Sequence, residues 1–483
     1  MKQSSLKANA FYSILKSFLS LAFPIITFPY ASRILLPEGI GKVNFANSII
    51  SYFVILAGLG INGYACREAS RIKDNPLALA KFTKEIFIIN SISTIVSYIA
   101  FICVYIFVPK LTDYRTLLLI CSIKIFFTTF GVDWIYNAFE EFKYKTIRSF
   151  CFQILALLFL FLFVHSKENI IPYAIFGLIS NVGSNVFNLI HSRKFINFKI
   201  KTTFELTKHL QPIFIFWGIS LVTSIYSILD TSMLGFFSSN IQVGLYSAAT
   251  KISHMTLSML GAIGTVLLPR LSYLIKENKI DSFDSLVEKS LCIMTILSIP
   301  IFTGLFLLAK PIILILSGSQ YALAIIPMRI ITPIVFFIAM GNILGTQLLP
   351  VLKKERIALL SYILGASTNI ILNIIFIPQY GAIGAAIGTV CAEFIVVFSQ
   401  AFYLKHYIMK KVIIINLFQT IIANLIMVTI IIFIEYYFEN NILQIFLATF
   451  LGIFIYVFSL HILRNRFLLE YEHKIMSKIT KQK

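Results

Sequence analysis

The sequence predicts an all-α integral membrane protein with about fourteen transmembrane helices. Three observations carry this prediction. Apolar segments of membrane-spanning length recur from one end of the chain to the other, 58% of the residues are hydrophobic and 13% charged, and the basic residues fall in alternate gaps. A helix needs about 20 apolar residues to cross the hydrocarbon layer. The composition excludes an ordinary soluble domain, and the segments are too long and too continuously apolar for barrel strands.

The predicted spans share an apolar character over roughly 17 to 28 residues each. They are 8–31, 43–66, 85–108, 114–136, 149–165, 170–190, 211–236, 243–269, 290–309, 322–349, 358–377, 382–404, 412–435 and 441–462.

The distribution of lysine and arginine predicts the orientation. Of 41 such residues, 31 lie at the two termini or in the even-numbered gaps between spans, and only 6 lie in the odd-numbered gaps. The positive-inside rule then places both termini in the cytoplasm. The net charge of +20 is explained by this topology and by contact with anionic lipid. It does not indicate a nucleic-acid partner, because no soluble module is present to bind one.

The chain contains a weak internal repeat. When residues 41–85 are compared with residues 244–288, nine positions are identical, among them Gly41/Gly244, Arg67/Arg270 and Glu85/Glu288. The offset of 203 residues relates spans 1–6 to spans 7–12. Six is an even number of crossings, so the repeat is parallel, with its axis along the membrane normal.

This repeat predicts three domains. Residues 1–210 form an N-lobe of spans 1–6 with a basic cytoplasmic linker at 191–210, and residues 211–406 form a C-lobe of spans 7–12. Residues 407–483 add spans 13 and 14 and a basic cytoplasmic tail.

Ionisable residues at membrane depth are the candidate binding residues, because such groups are expensive in lipid and usually face a cavity or a partner. Six are cations and three are acids: Lys16, Arg33, Lys42, Lys124, Lys251 and Arg329, with Asp133, Asp230 and Glu393. A cavity with this excess of cations attracts an anion such as a diphosphate.

Simpler interpretations remain open for several of these residues. Lys16 can extend to the cytoplasmic interface, and Arg33 and Lys42 can be interfacial anchors. Asp230 and Lys251 can pair with each other. Asp133, beside Trp134 and Tyr136, is expected to build the loop there, and it is the only buried acid expected in the N-lobe.

The sequence does not predict an enzyme. It contains no G-x-S-x-G, no Walker loop and no H-E-x-x-H, and no gap is long enough for a catalytic domain. The six cysteines are scattered without a C-x-x-C, which indicates free thiols and no metal site. We expect neither a cofactor nor a metal.

Four local segments resemble the polysaccharide-transporter branch of the multidrug/oligosaccharidyl-lipid/polysaccharide exporter superfamily. They are ASRILLPEGIGKVNFANSI (31–49), VDWIYNAFEEFKYKTIRS (132–149), LDTSMLGFFSSNIQVGLYSAATKI (229–252) and IPQYGAIGAAIGTVCAE (377–393). Fourteen spans also suit this branch, since drug/sodium antiporters usually have twelve.

The resemblance implies a flippase for an undecaprenyl-diphosphate-linked oligosaccharide, acting in O-antigen or other surface polysaccharide synthesis in the bacterial inner membrane. Spans 1, 2, 7 and 8 of the family line a cationic cavity. By position, Lys16, Arg33, Lys42, Asp230 and Lys251 fall on these spans, whereas Lys124, Arg329 and Glu393 fall on others. Lys16, Arg33 and Lys251 are expected to attract the diphosphate. The partners expected are the lipid-linked substrate, membrane lipids, a polysaccharide polymerase and a chain-length regulator.

Three alternatives remain. A lipid II-type flippase shares the expected fold and cationic cavity. A drug or cation antiporter of the same superfamily needs buried acids in its N-lobe, where the sequence predicts only Asp133. A membrane polymerase or glycosyltransferase needs a large catalytic loop, which the short gaps disfavour.

Overall fold

A computed structural model describes residues 6–194 and 204–470. All regular elements that these residues form are helices, which confirms the predicted all-α class. The α-helices are α1 (Leu6–Gly58), α2 (Ile61–Ile72), α3 (Pro76–Phe107), α4 (Arg115–Phe130), α5 (Asp133–Ala138), α6 (Phe142–Phe163), α7 (Ile170–Leu178), α8 (Asn185–Ser192), α9 (Thr207–Phe237), α10 (Asn240–Lys276), α11 (Ile280–Leu307), α12 (Ala309–Ser317), α13 (Ile325–Ile331), α14 (Ile334–Gly341), α15 (Leu349–Val351), α16 (Glu355–Tyr380), α17 (Ala382–Tyr403), α18 (Lys405–Ile408), α19 (Lys411–Tyr437) and α20 (Asn441–Ile462). The middle of the predicted linker and the end of the basic tail lie outside the described residues.

The helices have the length and apolarity that a membrane requires. Within the described residues, ten helical segments are long and apolar enough to cross a bilayer, and Ile228–Phe237 and Ser319–Ile331 are shorter apolar helices. The first segment, Phe18–Ile72, has 55 residues, about twice what one crossing needs. The chain is therefore a multi-pass membrane protein, while the number fourteen stays a prediction.

A backbone break inside α1 separates the first two predicted spans. Leu36 has φ 59° and ψ 174°, which is not helical. A side chain at this positive φ is strained, and the following Pro37 disfavours the helical conformation at the residue before it. The first two predicted spans therefore follow one another at this break, without a loop between them.

The chain separates into two compact units, residues 1–244 and 245–483. In the first unit, α1 packs against α3, α4, α6 and α9. In the second, α16 and α17 form a tightly packed hairpin, and α19 and α20 pack together against α11 and α12. The three predicted domains remain predictions.

Two glycines allow a close approach between α1 and the start of α10 within the first unit. A Cβ at Gly41 would overlap the backbone carbonyl of Asn240, and a Cβ at Gly244 would overlap the carbonyl of Pro37. Small residues let helix backbones meet in this way in membranes. Pro37 and Asn240 are separated by the repeat offset of 203 residues, as are Gly41 and Gly244. The contact is therefore reciprocal, which supports the predicted repeat.

A chain of buried hydrogen bonds attaches the start of α9 to α2 and α3. The Glu85 carboxylate accepts hydrogen bonds from His209 Nε2 (2.8 Å) and from the backbone N–H of Glu205 (2.8 Å). The other ring nitrogen of His209, Nδ1, lies 2.6 Å from the Tyr64 hydroxyl. The side chain of Glu85 is 1% exposed, so these partners compensate its loss of water.

Exposed ion pairs surround this chain. Lys81 Nζ lies 2.7 Å from Glu205 Oε1, and Lys208 Nζ lies 3.3 Å from Glu205 Oε2. Hydrogen bonds from these two ammonium groups lower the pKa of Glu205. Exposed pairs of this kind contribute little to stability, so the buried chain is the stronger attachment.

The predicted topology can be checked with reporter fusions. Fusions after residues 38, 110, 240 and 380 are expected to report the outer side, because these positions lie in gaps that carry few basic residues. Fusions after residues 75 and 278 are the controls and are expected to report the cytoplasm. Cytoplasmic signals at two or more of the four outer positions would contradict the topology.

Candidate substrate-binding residues

Lys124 lies against the second half of α1. Its ammonium donates a hydrogen bond to Asn47 Oδ1. The backbone carbonyl of Asn47 accepts a hydrogen bond from Ser51 Oγ at 2.7 Å, and the backbone carbonyl of Lys124 accepts one from Thr128 Oγ1 at 3.1 Å. The structure thus places Lys124 beside predicted span 2, one of the spans that line the cavity in the family. The sequence alone does not show which way the Lys124 side chain points.

Asp230 is buried on α9, with 5% of its surface exposed. Two residues further along α9, Ser232 Oγ lies 2.7 Å from the Tyr52 hydroxyl of α1. Spans 2 and 7 therefore meet through polar groups near Asp230. A buried carboxylate among apolar helices is expensive, which keeps Asp230 a candidate for function.

Arg33 and Lys42 lie near the break in α1. Arg33 is exposed. Lys42 Nζ lies 2.7 Å from Glu38 Oε1 one helical turn away, and the two side chains are 35% and 58% exposed. Such i, i+4 pairs contribute only a few tenths of a kcal/mol. The geometry agrees with interfacial anchoring for Lys42 and leaves a role in binding untested.

Lys16 is half-buried on α1. It interacts electrostatically with Lys145, Asp133 and Arg148. Asp133 does not continue α4. It begins the short helix α5 after a break at Val132, which has φ 28°. Its carboxylate accepts from Asn188 Nδ2 at 3.0 Å, so it helps to build this loop as predicted.

The remaining candidates belong to the second unit. Lys251 is half-buried on α10. The Arg329 guanidinium lies 5.8 Å from the centre of the Phe306 ring, close enough for a cation–π interaction. Glu393 is buried on α17. Their role in binding stays a prediction.

One expectation about acids is wrong. Asp133 was expected to be the only buried acid of the N-lobe, yet Glu85 is buried and the side chain of Asp133 is 35% exposed. The sequence placed Glu85 at the edge of span 3, where its burial depends on contacts with the distant His209. The only available signal was its identity with Glu288 in the repeat.

The sequence does not predict Arg148 and Lys145 as candidates, because charges in a basic gap between spans are ordinary. Arg148 is in fact buried, with a side chain 7% exposed. Among the described residues, no group of three His, Cys, Asp or Glu side chains could hold a metal ion.

Comparison with known proteins identifies the family. The family model described as "Polysaccharide biosynthesis protein" matches residues 6–275, and the MatE model matches residues 218–375. A protein of Escherichia coli K12 that is named as an O-antigen transporter is 24% identical over 401 residues, covering 81% of this chain and 95% of that protein. Agl15 of Haloferax volcanii, named as a low-salt glycan biosynthesis flippase, is 25% identical over 254 residues, covering 52% and 54%.

A solved structure shows the same fold. "Lipid II flippase MurJ, inward closed conformation" matches with a TM-score of 0.77 and 19% identity, covering 94% of this chain and 98% of that one. At this identity the likeness concerns the fold alone. The family models confirm the resemblance found in the four junction segments, and the relatives named as transporters and flippases place the chain among membrane transporters and not among enzymes. The chain belongs to the polysaccharide biosynthesis protein family, in the polysaccharide-transporter branch of the multidrug/oligosaccharidyl-lipid/polysaccharide exporter superfamily.

Proposed function

We propose that this protein is a flippase that moves an undecaprenyl-diphosphate-linked oligosaccharide from the cytoplasmic to the outer leaflet of the bacterial inner membrane. The family match over residues 6–275 carries the proposal. The relatives named as an O-antigen transporter and as a glycan flippase support a lipid-linked saccharide as the cargo.

The properties of the chain suit the transport of a polar head group on a lipid tail. A sugar head and a diphosphate need polar surroundings during the crossing, while the lipid tail can stay in the bilayer. The polar groups that the structure places inside apolar helices suit the head group: Lys124 with Asn47, Tyr52 with Ser232, and the buried Asp230. The family's alternating access would expose such groups to each side in turn. Both termini lie in the cytoplasm in this proposal, and a polymerase and a chain-length regulator act on the exported unit.

Loss of the gene in its own host tests the proposal. The expected result is loss of a surface polysaccharide and accumulation of the complete lipid-linked oligosaccharide in the inner leaflet, where an added membrane-impermeant glycosidase cannot reach it. Two other results would favour the alternatives. Rescue of cells depleted of their lipid II flippase indicates the peptidoglycan precursor as cargo, and increased drug sensitivity with normal polysaccharide indicates an antiporter.

A charge substitution tests the cavity residues. Lys251→Ala is expected to reduce flipping about tenfold or more with normal protein level, because one charge-assisted contact to a phosphate is lost. Lys251→Arg is expected to keep much of the activity. Flipping is measured by accessibility of the lipid-linked saccharide in vesicles. Lys276→Ala, which removes an exposed charge from the same helix, is the control.

The double variant Asp230→Asn with Lys251→Ala separates binding from charge compensation. If Lys251 only neutralises Asp230, the double variant recovers flipping. Such recovery would contradict a role of Lys251 in binding the diphosphate.

A further inference from the structure

In the first unit, Arg148 and Lys145 contact one carboxylate, that of Asp133, and a third cation, Lys16, lies near enough to interact with them. Arg148 Nη2 lies 3.3 Å from Asp133 Oδ1, and Lys145 Nζ lies 3.7 Å from Asp133 Oδ2. Lys16 interacts electrostatically with all three residues. We call Lys16, Lys145, Arg148 and Asp133 the cationic cluster. It joins the first turns of α6 to α1 and to the start of α5.

The charges within the cationic cluster do not balance. Three positive groups meet a single negative one, and the side chains of Arg148 and Lys145 are only 7% and 13% exposed. Like charges held close together with little water repel one another strongly. The arrangement therefore favours a second anion at this place.

Arg148 also has unused hydrogen-bonding capacity. Its Nε and Nη1 groups are buried and have no hydrogen-bond partner among the described residues. Buried donors without acceptors are rare in folded proteins and call for an explanation. A phosphate group offers more acceptor oxygens than the Asp133 carboxylate and suits the planar guanidinium.

Neighbouring side chains hold the cluster in position. The Arg148 guanidinium lies 5.6 and 5.8 Å from the ring centres of Tyr144 and Tyr136, and Tyr144 stacks on His191 at 3.8 Å. Lys145 Nζ donates to Asn137 Oδ1 at 3.0 Å. Fixed donors lose little conformational entropy when a ligand arrives. The Asp133 side chain is 35% exposed, so the cationic cluster is partly open at its carboxylate.

We propose that the cationic cluster is a binding site for the phosphate group of a membrane lipid at the cytoplasmic end of the first unit. The lipid phosphate competes with Asp133 for Lys145 and Arg148, and Lys16 supplies the third positive charge. The chemistry is that of a phosphate ester, whether it belongs to a polyprenyl diphosphate or to an anionic phospholipid. In the first case the inference rests on the proposed function, and the site receives the carrier lipid before the crossing.

Binding can be measured without any transport assay, so failure of the site and failure of the proposed function are distinguishable. The chain has two tryptophans, and Trp134 is buried next to Asp133. In a Trp217→Phe background Trp134 is the sole reporter. The full-length protein in neutral phosphatidylcholine nanodiscs is titrated with inorganic pyrophosphate and with farnesyl diphosphate, and separately transferred to nanodiscs of increasing phosphatidylglycerol content.

Three variants test which residues bind. Lys145→Gln and Arg148→Gln are expected to weaken saturable binding about tenfold each. Lys143→Gln removes an exposed charge from the same turn of α6 and is expected to leave binding unchanged. Lys145→Gln keeps the test valid if Arg148→Gln does not fold.

Comparing the diphosphate titrations with the phosphatidylglycerol series identifies which lipid supplies the phosphate. Saturable binding of farnesyl diphosphate that Lys145→Gln weakens supports the site with the carrier lipid as its ligand. A response to phosphatidylglycerol alone supports the site with a leaflet phospholipid as its ligand. Absence of saturable binding in every arm overturns the proposal. Equal losses in Lys143→Gln and Lys145→Gln also overturn it, because general surface charge would then explain the result.

Discussion

Gly244→Ala is expected to lower the free energy of unfolding by about 3 kcal/mol, and Gly244→Leu to prevent accumulation of folded protein. The new Cβ would overlap the backbone carbonyl of Pro37, so α1 and α10 would have to separate instead of a side chain moving aside. Overpacking at such a contact costs about 1–3 kcal/mol or more. The measurement is the thermal unfolding of the detergent-solubilised protein, together with its amount in the membrane.

The chain provides a matched control and a second variant for this prediction. Among the residues that the structure describes, no atom lies within 4 Å of a Cβ at Gly218 in α9. Gly218→Ala is therefore expected to be neutral or to stabilise the helix by roughly 0.5–1 kcal/mol. Gly41→Ala should be as harmful as Gly244→Ala, because its Cβ would overlap the carbonyl of Asn240. Equal stability of Gly244→Ala and Gly218→Ala would show that the helices tolerate the extra atom.

Glu85→Ala is expected to destabilise the protein by about 3–5 kcal/mol. The substitution leaves the buried His209 Nε2 and the partly buried backbone N–H of Glu205 without their shared acceptor. Removing one partner from a buried ionic network has effects of this size, because the other groups stay buried and unsatisfied. The start of α9 would lose its main polar attachment to α3. Thermal unfolding and limited proteolysis near residue 205 measure the two consequences.

Glu288 supplies the control for this experiment. It is the repeat equivalent of Glu85 and is half-buried on α11. Glu288→Ala is expected to change the free energy of unfolding by less than about 1 kcal/mol, as is usual for positions away from a buried network. Glu85→Gln keeps an acceptor oxygen and should lie between the two. An effect of Glu85→Ala no larger than that of Glu288→Ala would mean that the buried chain does not hold α9.

Much of the fold could be predicted because lipid restricts the solutions. Hydrophobicity and helix length together predict spans, since a segment in hydrocarbon has to satisfy its own backbone. The break at Leu36 was harder to predict. The sequence separates spans 1 and 2 by 11 residues, but the structure keeps these residues largely helical and turns the chain at one strained residue before Pro37.

The candidate residues could be predicted in part. Charge inside an apolar segment identified Lys124, Asp230 and Glu393, and each lies half-buried or buried. The same signal failed for Arg148 and Glu85. Both lie at span ends, where a charge is ordinary in sequence, and their burial arises from partners far along the chain. Burial of this kind depends on tertiary contacts that a single sequence does not display.

The glycine contact has a consequence for the origin of the chain. A contact in which residue 37 meets 244 while 240 meets 41 is isologous, the form that a two-fold axis generates between identical subunits. A half-length polypeptide with a glycine at this position could thus have paired with a second copy of itself. The residues beside the two glycines differ in type. Asn240 accepts a hydrogen bond from the Tyr114 hydroxyl at 2.7 Å. Pro37 directly follows the non-helical Leu36 in α1. The backbone geometry at this crossing is thus the one that a two-fold axis produces between two copies of the same segment.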